Sequence, residues 1–150
     1  GLLPRRSQLK QYRRLIIFFS AMISLFILVQ VWHLKSAPEE KKQERERQLQ
    51  GIALLMNVGS PKMFDESTRL DSVTYKDGIM RVSYTLTKVS KNEVDSDSFT
   101  KDTKALATSV SCAEKGLGPF VKSGLLVNYT FNDSSNSPIA DIQIGTSDCL

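Results

Sequence analysis

Hydrophobic positions are spaced in three different ways along the chain. From Leu15 to Leu34 they run almost unbroken, LIIFFSAMISLFILVQVWHL, with no formal charge when His33 is neutral. A helix of that length spans roughly 30 Å, the thickness of a bilayer's hydrocarbon core. It is apolar on every side, whereas the core helix of a soluble protein keeps a polar stripe. The run therefore predicts a transmembrane helix.

The next stretch, PEEKKQERERQLQ from Pro38, places opposite charges three or four residues apart, as in Glu39–Lys42 and Glu44–Arg47. Such pairs permit an exposed helix without enforcing one. Pro38 suits a helix's first turn, and Glu39 and Glu40 suit its positive end. Leu49, Ile52 and Met56 then fall at helical spacing before the stop signals Gly59 and Pro61. A helical stalk over 38–57 is predicted, solvated at first and docking on a domain at its end.

From Thr68 the period becomes two. Asp71, Val73 and Tyr75 share one face of a first strand, and Met80, Val82, Tyr84 and Leu86 share one face of a second. Asp77-Gly78 between them is a strong hairpin signal, because a type I′ turn needs positive φ at both positions. A helix follows, capped by Asp95 or Asp97, with Phe99, Leu106 and Val110 as its buried stripe and Lys101, Asp102 and Lys104 outside. Gly116, Gly118 and Pro119 break it. A second hairpin sets Leu125, Val127, Tyr129 and Phe131 against Ala140, Ile142 and Ile144. The expected fold class is α+β: an N-terminal transmembrane helix, a helical stalk, then a small four-stranded antiparallel sheet with a packed helix (ββαββ) and one disulfide.

At 150 residues and 41% hydrophobic content, the chain has room for one modest folded domain. The expected division is a basic cytoplasmic tail at 1–14, a transmembrane helix at 15–34, a helical stalk or linker at 35–60 and a periplasmic α+β domain at 61–150. Charge follows the same division. Residues 1–49 carry ten Lys/Arg against four Glu (+6), and residues 50–150 carry ten against twelve Asp/Glu (−2). The basic excess thus belongs to one end and argues for no nucleic-acid partner.

Arg5, Arg6, Lys10, Arg13 and Arg14 precede the apolar run with no acid among them, the mark of a cytoplasmic flank. They also favour an anionic lipid surface. Tyr12 and Trp32 stand near its two ends, where amphipathic rings prefer the headgroups. Lysines and arginines beyond the run are equally numerous, so charge alone orients the helix weakly. The run is longer than the apolar core of a cleaved signal, and Pro38 disfavours cleavage after Ser36-Ala37, so an uncleaved signal anchor is expected. PRRSQLK departs from a twin-arginine signal at Pro4 and Gln8 and is read as chance. A start at Gly1 in place of Met suggests a trimmed N-terminus or a cloning scar. Ser20 and Ser24, four apart beside Ala21, form a small-xxx-small arrangement open to helix pairing.

Cys112 and Cys149 fall at the ends of predicted elements outside the membrane. A bond between them would contribute roughly 4 kcal/mol in the chain-entropy model and implies an oxidising compartment. The alternative is two separate buried thiols in a cytosolic domain. The bonded reading sets the topology: N-terminus cytoplasmic, residues 35–150 in a periplasm or lumen.

The strings FDESTRLDSV (64–73), YTLTKVS (84–90), the mid-domain Cys112, SGLLVNYTFND (123–133) and SDC (147–149) resemble a family of small, uncharacterised bacterial membrane-anchored or exported proteins. The resemblance covers about 85 residues by the span of those strings. It implies a bacterial envelope location and cysteine pairing, and it implies no activity. The chain departs from the family where NDSSNSP replaces an Asp-x-x-Gly turn.

No phosphate loop, CxxC pair, nucleophile elbow or acid dyad is present. Asp65, Glu66 and Asp71 around Arg69 read as a solvated strand entry. Asp95, Asp97 and Asp102 lack the Gly and terminal Glu of a calcium loop. No catalytic, cofactor-binding or metal site is expected. The sequence therefore points to a non-enzymatic, single-pass inner-membrane protein that contacts the lipid bilayer and binds another membrane or periplasmic protein. Its expected role is accessory subunit of a secretion, pilus or transporter assembly. The alternatives are a membrane-anchored inhibitor against toxin or phage and, less favoured, a ligand sensor or enzyme.

Overall fold

The computed structural model describes residues 6–150, leaving aside the side chains of residues 6–11 and 35–37. It divides into two compact units, Gly1–Arg45 and Glu46–Leu150. The elements in order are α1 (Arg6–Asn57), β1 (Lys62–Met63), β2 (Thr68–Lys76), β3 (Ile79–Leu86), α2 (Ser96–Ser111), α3 (Gly118–Lys122), β4 (Leu126–Asn132) and β5 (Pro138–Ile144). Short 3₁₀ turns at Lys91–Glu93 and Thr146–Cys149 complete the chain.

Pro38 does not begin a second helix as the sequence predicts. It lies inside α1, whose 52 residues join the apolar run and the charged run in one element. A proline removes one i→i−4 hydrogen bond, and here good helix formers on both sides carry the turn through. By length and composition α1 is able to cross a membrane, and the side chains of Leu15–Leu34 are exposed throughout.

The folded unit takes in the last turns of α1. Leu49 and Ala53 are buried against the sheet and Ile52 partly so, while Met56, expected on that face, is exposed. Two polar contacts fix the docking: Tyr75 O–H donates to Glu46 Oε1 at 2.7 Å, and Asn57 Oδ1 accepts from the Val73 backbone N–H at 2.8 Å. The second occupies a ladder position on β2 beyond the reach of the two-residue β1, so a side chain closes part of that strand's edge.

The sheet has five strands in the order β1-β2-β3-β4-β5. It is mixed, and this corrects the expected four-stranded antiparallel arrangement. Neighbours pair antiparallel except β3 and β4, which run parallel from Ile79↔Leu126 to Thr85↔Asn132. The reason lies in the connection: α2 and α3 carry the chain back along the sheet, so β4 starts at the same end as β3. The added strand, β1, is too short to show a period.

Asp77 (φ 52°) and Gly78 (φ 78°) make the expected tight turn between β2 and β3. A bulge between Leu70 and Ser72 puts Leu70 and Val73 on the core side. Asp71 is thereby removed from the Val73 face. It accepts instead from Arg69 Nε at 2.6 Å and from Thr85 Oγ1 at 2.5 Å. Gly118 is required by close approach, since a Cβ there would lie 2.5 Å from the Ala113 and Cys112 carbonyl oxygens. With Pro119 it starts α3, at the break read from the sequence.

The core lies on one sheet face, where Val73, Met80, Val82, Val127, Ile142 and Ile144 are nearly inaccessible. Helix α2 meets that face through Ala107 and Ser111. Leu106 and Val110, expected in the buried stripe, are 67% and 58% exposed. The expected pairing of Cys112 and Cys149 is present, tying the end of α2 to the turn after β5.

Candidate functional site

An open departure from the core lies beside α2. Asp95 caps this helix by accepting from the backbone N–H groups of Asp97 and Ser98 at 3.1 and 3.4 Å. Its buried residues are the small Ala107 and Ser111, so Leu106 and Val110 come out along the side and not underneath. Between that side and the sheet runs a trough of about 410 Å³.

Four aromatic rings cross the trough as a chain. Phe64, just after β1, meets Tyr84 of β3 edge-on at 6.1 Å. Tyr84 stacks on Phe131 of β4 at 5.2 Å, and Phe131 meets Phe99 of α2 edge-on at 5.2 Å. These geometries suit the ring quadrupoles and make a rigid floor. Phe64 at 73% exposure stands as one rim, with Leu106 and Val110 as the other. Large apolar side chains on both margins of an apolar hollow mark an interaction surface.

Apart from Asp65, the polar groups in the trough are neutral. Tyr129 O–H and Ser111 Oγ lie 2.8 Å apart in the interior. Burial pushes the Tyr129 phenol above its ordinary value, against a smaller lowering by the Ser111 hydrogen bond. Burial raises the Tyr84 phenol too, and the nearby Tyr129 adds to the rise. Both stay protonated at neutral pH and offer hydroxyls, not charge. Asp65 is the only charged residue lining the trough. Its carboxylate accepts from the backbone N–H groups of Ser67 and Thr68 at 2.8 and 2.7 Å, which holds it below its ordinary value. No nucleophile–base pair faces the trough, and among the described residues no cluster of His, Cys, Asp and Glu could hold a metal ion.

The residues singled out from the sequence lie elsewhere. Tyr12, Arg13, Arg14 and Trp32 are exposed on α1, as are Ser20 and Ser24. Arg5 lies outside the described residues, and the side chains of Arg6 and Lys10 do too. Cys112 and Cys149 are brought together. The trough residues were missed because Leu106 and Val110 fit a buried stripe equally well.

No protein-family model matches the chain, and no curated protein does. Three solved structures share the fold. A secreted protein from Pseudomonas aeruginosa matches with a TM-score of 0.61 at 17% identity, over 71% of this chain and 94% of that one. The pilotin EpsS of the Vibrio vulnificus type 2 secretion system matches with a TM-score of 0.53 at 17% identity, over 75% and 97%. The type II secretion system pilotin AspS from Vibrio cholerae matches with a TM-score of 0.57 at 18% identity, over 75% and 99%. In each case nearly the whole of the other chain is covered.

Proposed function

We propose that this protein is a non-catalytic accessory subunit of a bacterial envelope secretion assembly, and that its folded domain binds a protein partner in the trough between α2 and the sheet. The observation that carries the reading is the open aromatic floor between exposed Phe64, Leu106 and Val110, in a domain whose fold two secretion-system pilotins share. A surface of this kind costs solubility unless a partner covers it.

In this proposal residues 15–34 anchor the chain in the inner membrane as a single pass. Arg13 and Arg14 hold the N-terminus on the cytoplasmic side, Tyr12 and Trp32 sit at the two interfaces, and the domain faces the periplasm. The Cys112–Cys149 bond supports the oxidising side. Membership of the family of small membrane-anchored or exported proteins, suggested by the TRLDSV and YTF strings, belongs to the same proposal.

The test is site-specific photo-crosslinking in cells expressing the full chain. A photoreactive residue at Leu106 or Phe64 is expected to capture one stoichiometric envelope protein, and one at Lys101 is not. Equal capture from Lys101, or none from either rim, overturns the reading.

A further inference from the structure

The last turns of α1 are apolar on two sides. Leu49 and Ala53 meet the sheet and are buried. At about 100° per residue, Gly51, Leu54 and Leu55 fall on an arc centred about 170° away from that pair. Val58 extends this outer arc in the turn that ends the helix. Leu54, Leu55 and Val58 are 70%, 75% and 65% exposed. A surface helix docked by one face carries polar residues on the other, and one that is apolar on both has a second surface to cover.

Gly51 is a separate observation on the same arc. It sits inside the helix, where glycine is the least favourable residue after proline. A Cβ added there meets no atom within 4 Å, so nothing in the fold of one chain calls for its absence. A bare stretch of backbone beside exposed leucines lets the backbone of another helix come close.

Area selects the occupant. At those exposures the three side chains leave roughly 400 Å² uncovered per copy, so a two-fold pair would bury about 800 Å² in all. Stable pairing from free solution takes about 1,200 Å² or more, and confinement of both copies to one bilayer by residues 15–34 compensates for the shortfall. Every copy of this chain brings that run, and with it the same glycine between the same leucines.

We infer that the outer face of α1's last turns is where two copies of this chain pair, about a two-fold axis that sets Gly51 against Gly51 with Leu54 and Leu55 of each copy packed beside it. The face is separate from the trough, whose lining includes none of these residues. The membrane anchor enters only as the source of confinement.

The test uses full chains bearing donor or acceptor dyes, reconstituted together in phosphatidylcholine vesicles. Energy transfer is followed as added lipid dilutes them, and flotation of the vesicles reports insertion in the same samples. The Leu54→Ser/Leu55→Ser variant is expected to pair about tenfold more weakly than the parent. Gly51→Leu is expected to weaken pairing by a similar factor although it adds apolar surface, and both variants should keep the parent's urea midpoint or exceed it. A photoreactive residue at Leu55 is expected to label a second copy, and one at Lys101 is not. Stronger pairing by Gly51→Leu marks indiscriminate adhesion and overturns the inference. Unchanged pairing in the double serine variant, or energy transfer with no labelling from position 55, puts the contact elsewhere on the chain and overturns it too. So does labelling of a different protein from position 55 in cells in place of a second copy. A chain that does not float with the vesicles refutes the anchor and the pairing that depends on it, whereas floating chains without energy transfer refute the pairing alone.

Discussion

At the end of the sheet carrying the Asp77-Gly78 turn, Leu49 and Ala53 of α1 and Val121 of α3 join Val73, Met80, Val127 and Ile144 in a buried core. At the other end, the same sheet face ends in Tyr84, Leu86 and Phe131, and the helix above it leaves Leu106 and Val110 in solvent. Both ends are apolar and both use the period-two pattern. They differ in what lies on top: Leu49 and Val121 press into the first, whereas over the second α2 buries only Ala107 and Ser111, with Phe99 set edge-on to Phe131 at its far end. Large side chains in the covering helices give a closed core that stabilises the domain, and small ones leave a rigid, open surface that a partner completes.

Four changes break or sharpen this contrast. The largest effect is expected from severing the tie that holds α2 to the end of β5. Cys112→Ser with Cys149→Ser should lower stability by roughly 4 kcal/mol for a closed loop of this size, measured by urea unfolding of the full chain. Next is Leu49→Ala at the buried end, expected to cost about 3 kcal/mol through lost contacts and the cavity left behind. Photo-capture from Leu106 should persist in that variant wherever it remains folded.

A smaller effect, visible on acidification, comes from Asp133. It accepts backbone N–H bonds from Ser137 and Lys91 at 2.8 Å each and from Ser135 at 2.9 Å, with Ser137 the largest cause of its lowered pKa. The stabilisation is present above the ordinary carboxylate value, near pH 4, and is lost as pH falls through the lowered folded value. Asp133→Asn is therefore expected to be less stable at neutral pH and to lose less stability on acidification. Urea midpoints for both proteins across the acid range measure this. The smallest effect on stability belongs to the open end: Leu106→Ser should stay within about 0.5 kcal/mol of the parent. It should nonetheless reduce partner capture from a photoreactive residue at Phe64. Such a split between stability and binding separates a docking surface from a poorly packed core.

Local signals in the sequence were read well where one residue type enforces one geometry. Asp77-Gly78 specified its turn, alternation placed Val127, Tyr129 and Phe131 inward, and two cysteines at element ends found each other. Signals that depend on a neighbour were not legible. Whether β4 pairs parallel or antiparallel with β3 depends on the route of α2, and no residue in either strand records it. The bulge at Asp71 shifted one side chain to the other face because Arg69 and Thr85 were there to receive it. For the trough, the amphipathic pattern of α2 named the correct helix and the wrong depth. Ala107 takes the position against the sheet, and the bulkier Leu106 beside it is left at the margin.

The parallel register of β3 and β4 also has a consequence for biosynthesis. Ile79 finds Leu126 as its partner only after the whole intervening crossover has been made. Until then the nascent chain displays β3, with Ile79, Met80, Val82, Tyr84 and Leu86, one border bare, a template for adhesion to other chains. A polypeptide truncated before Leu126 should for that reason clump instead of persisting as a soluble half-domain, and the cell is expected to shield or degrade it.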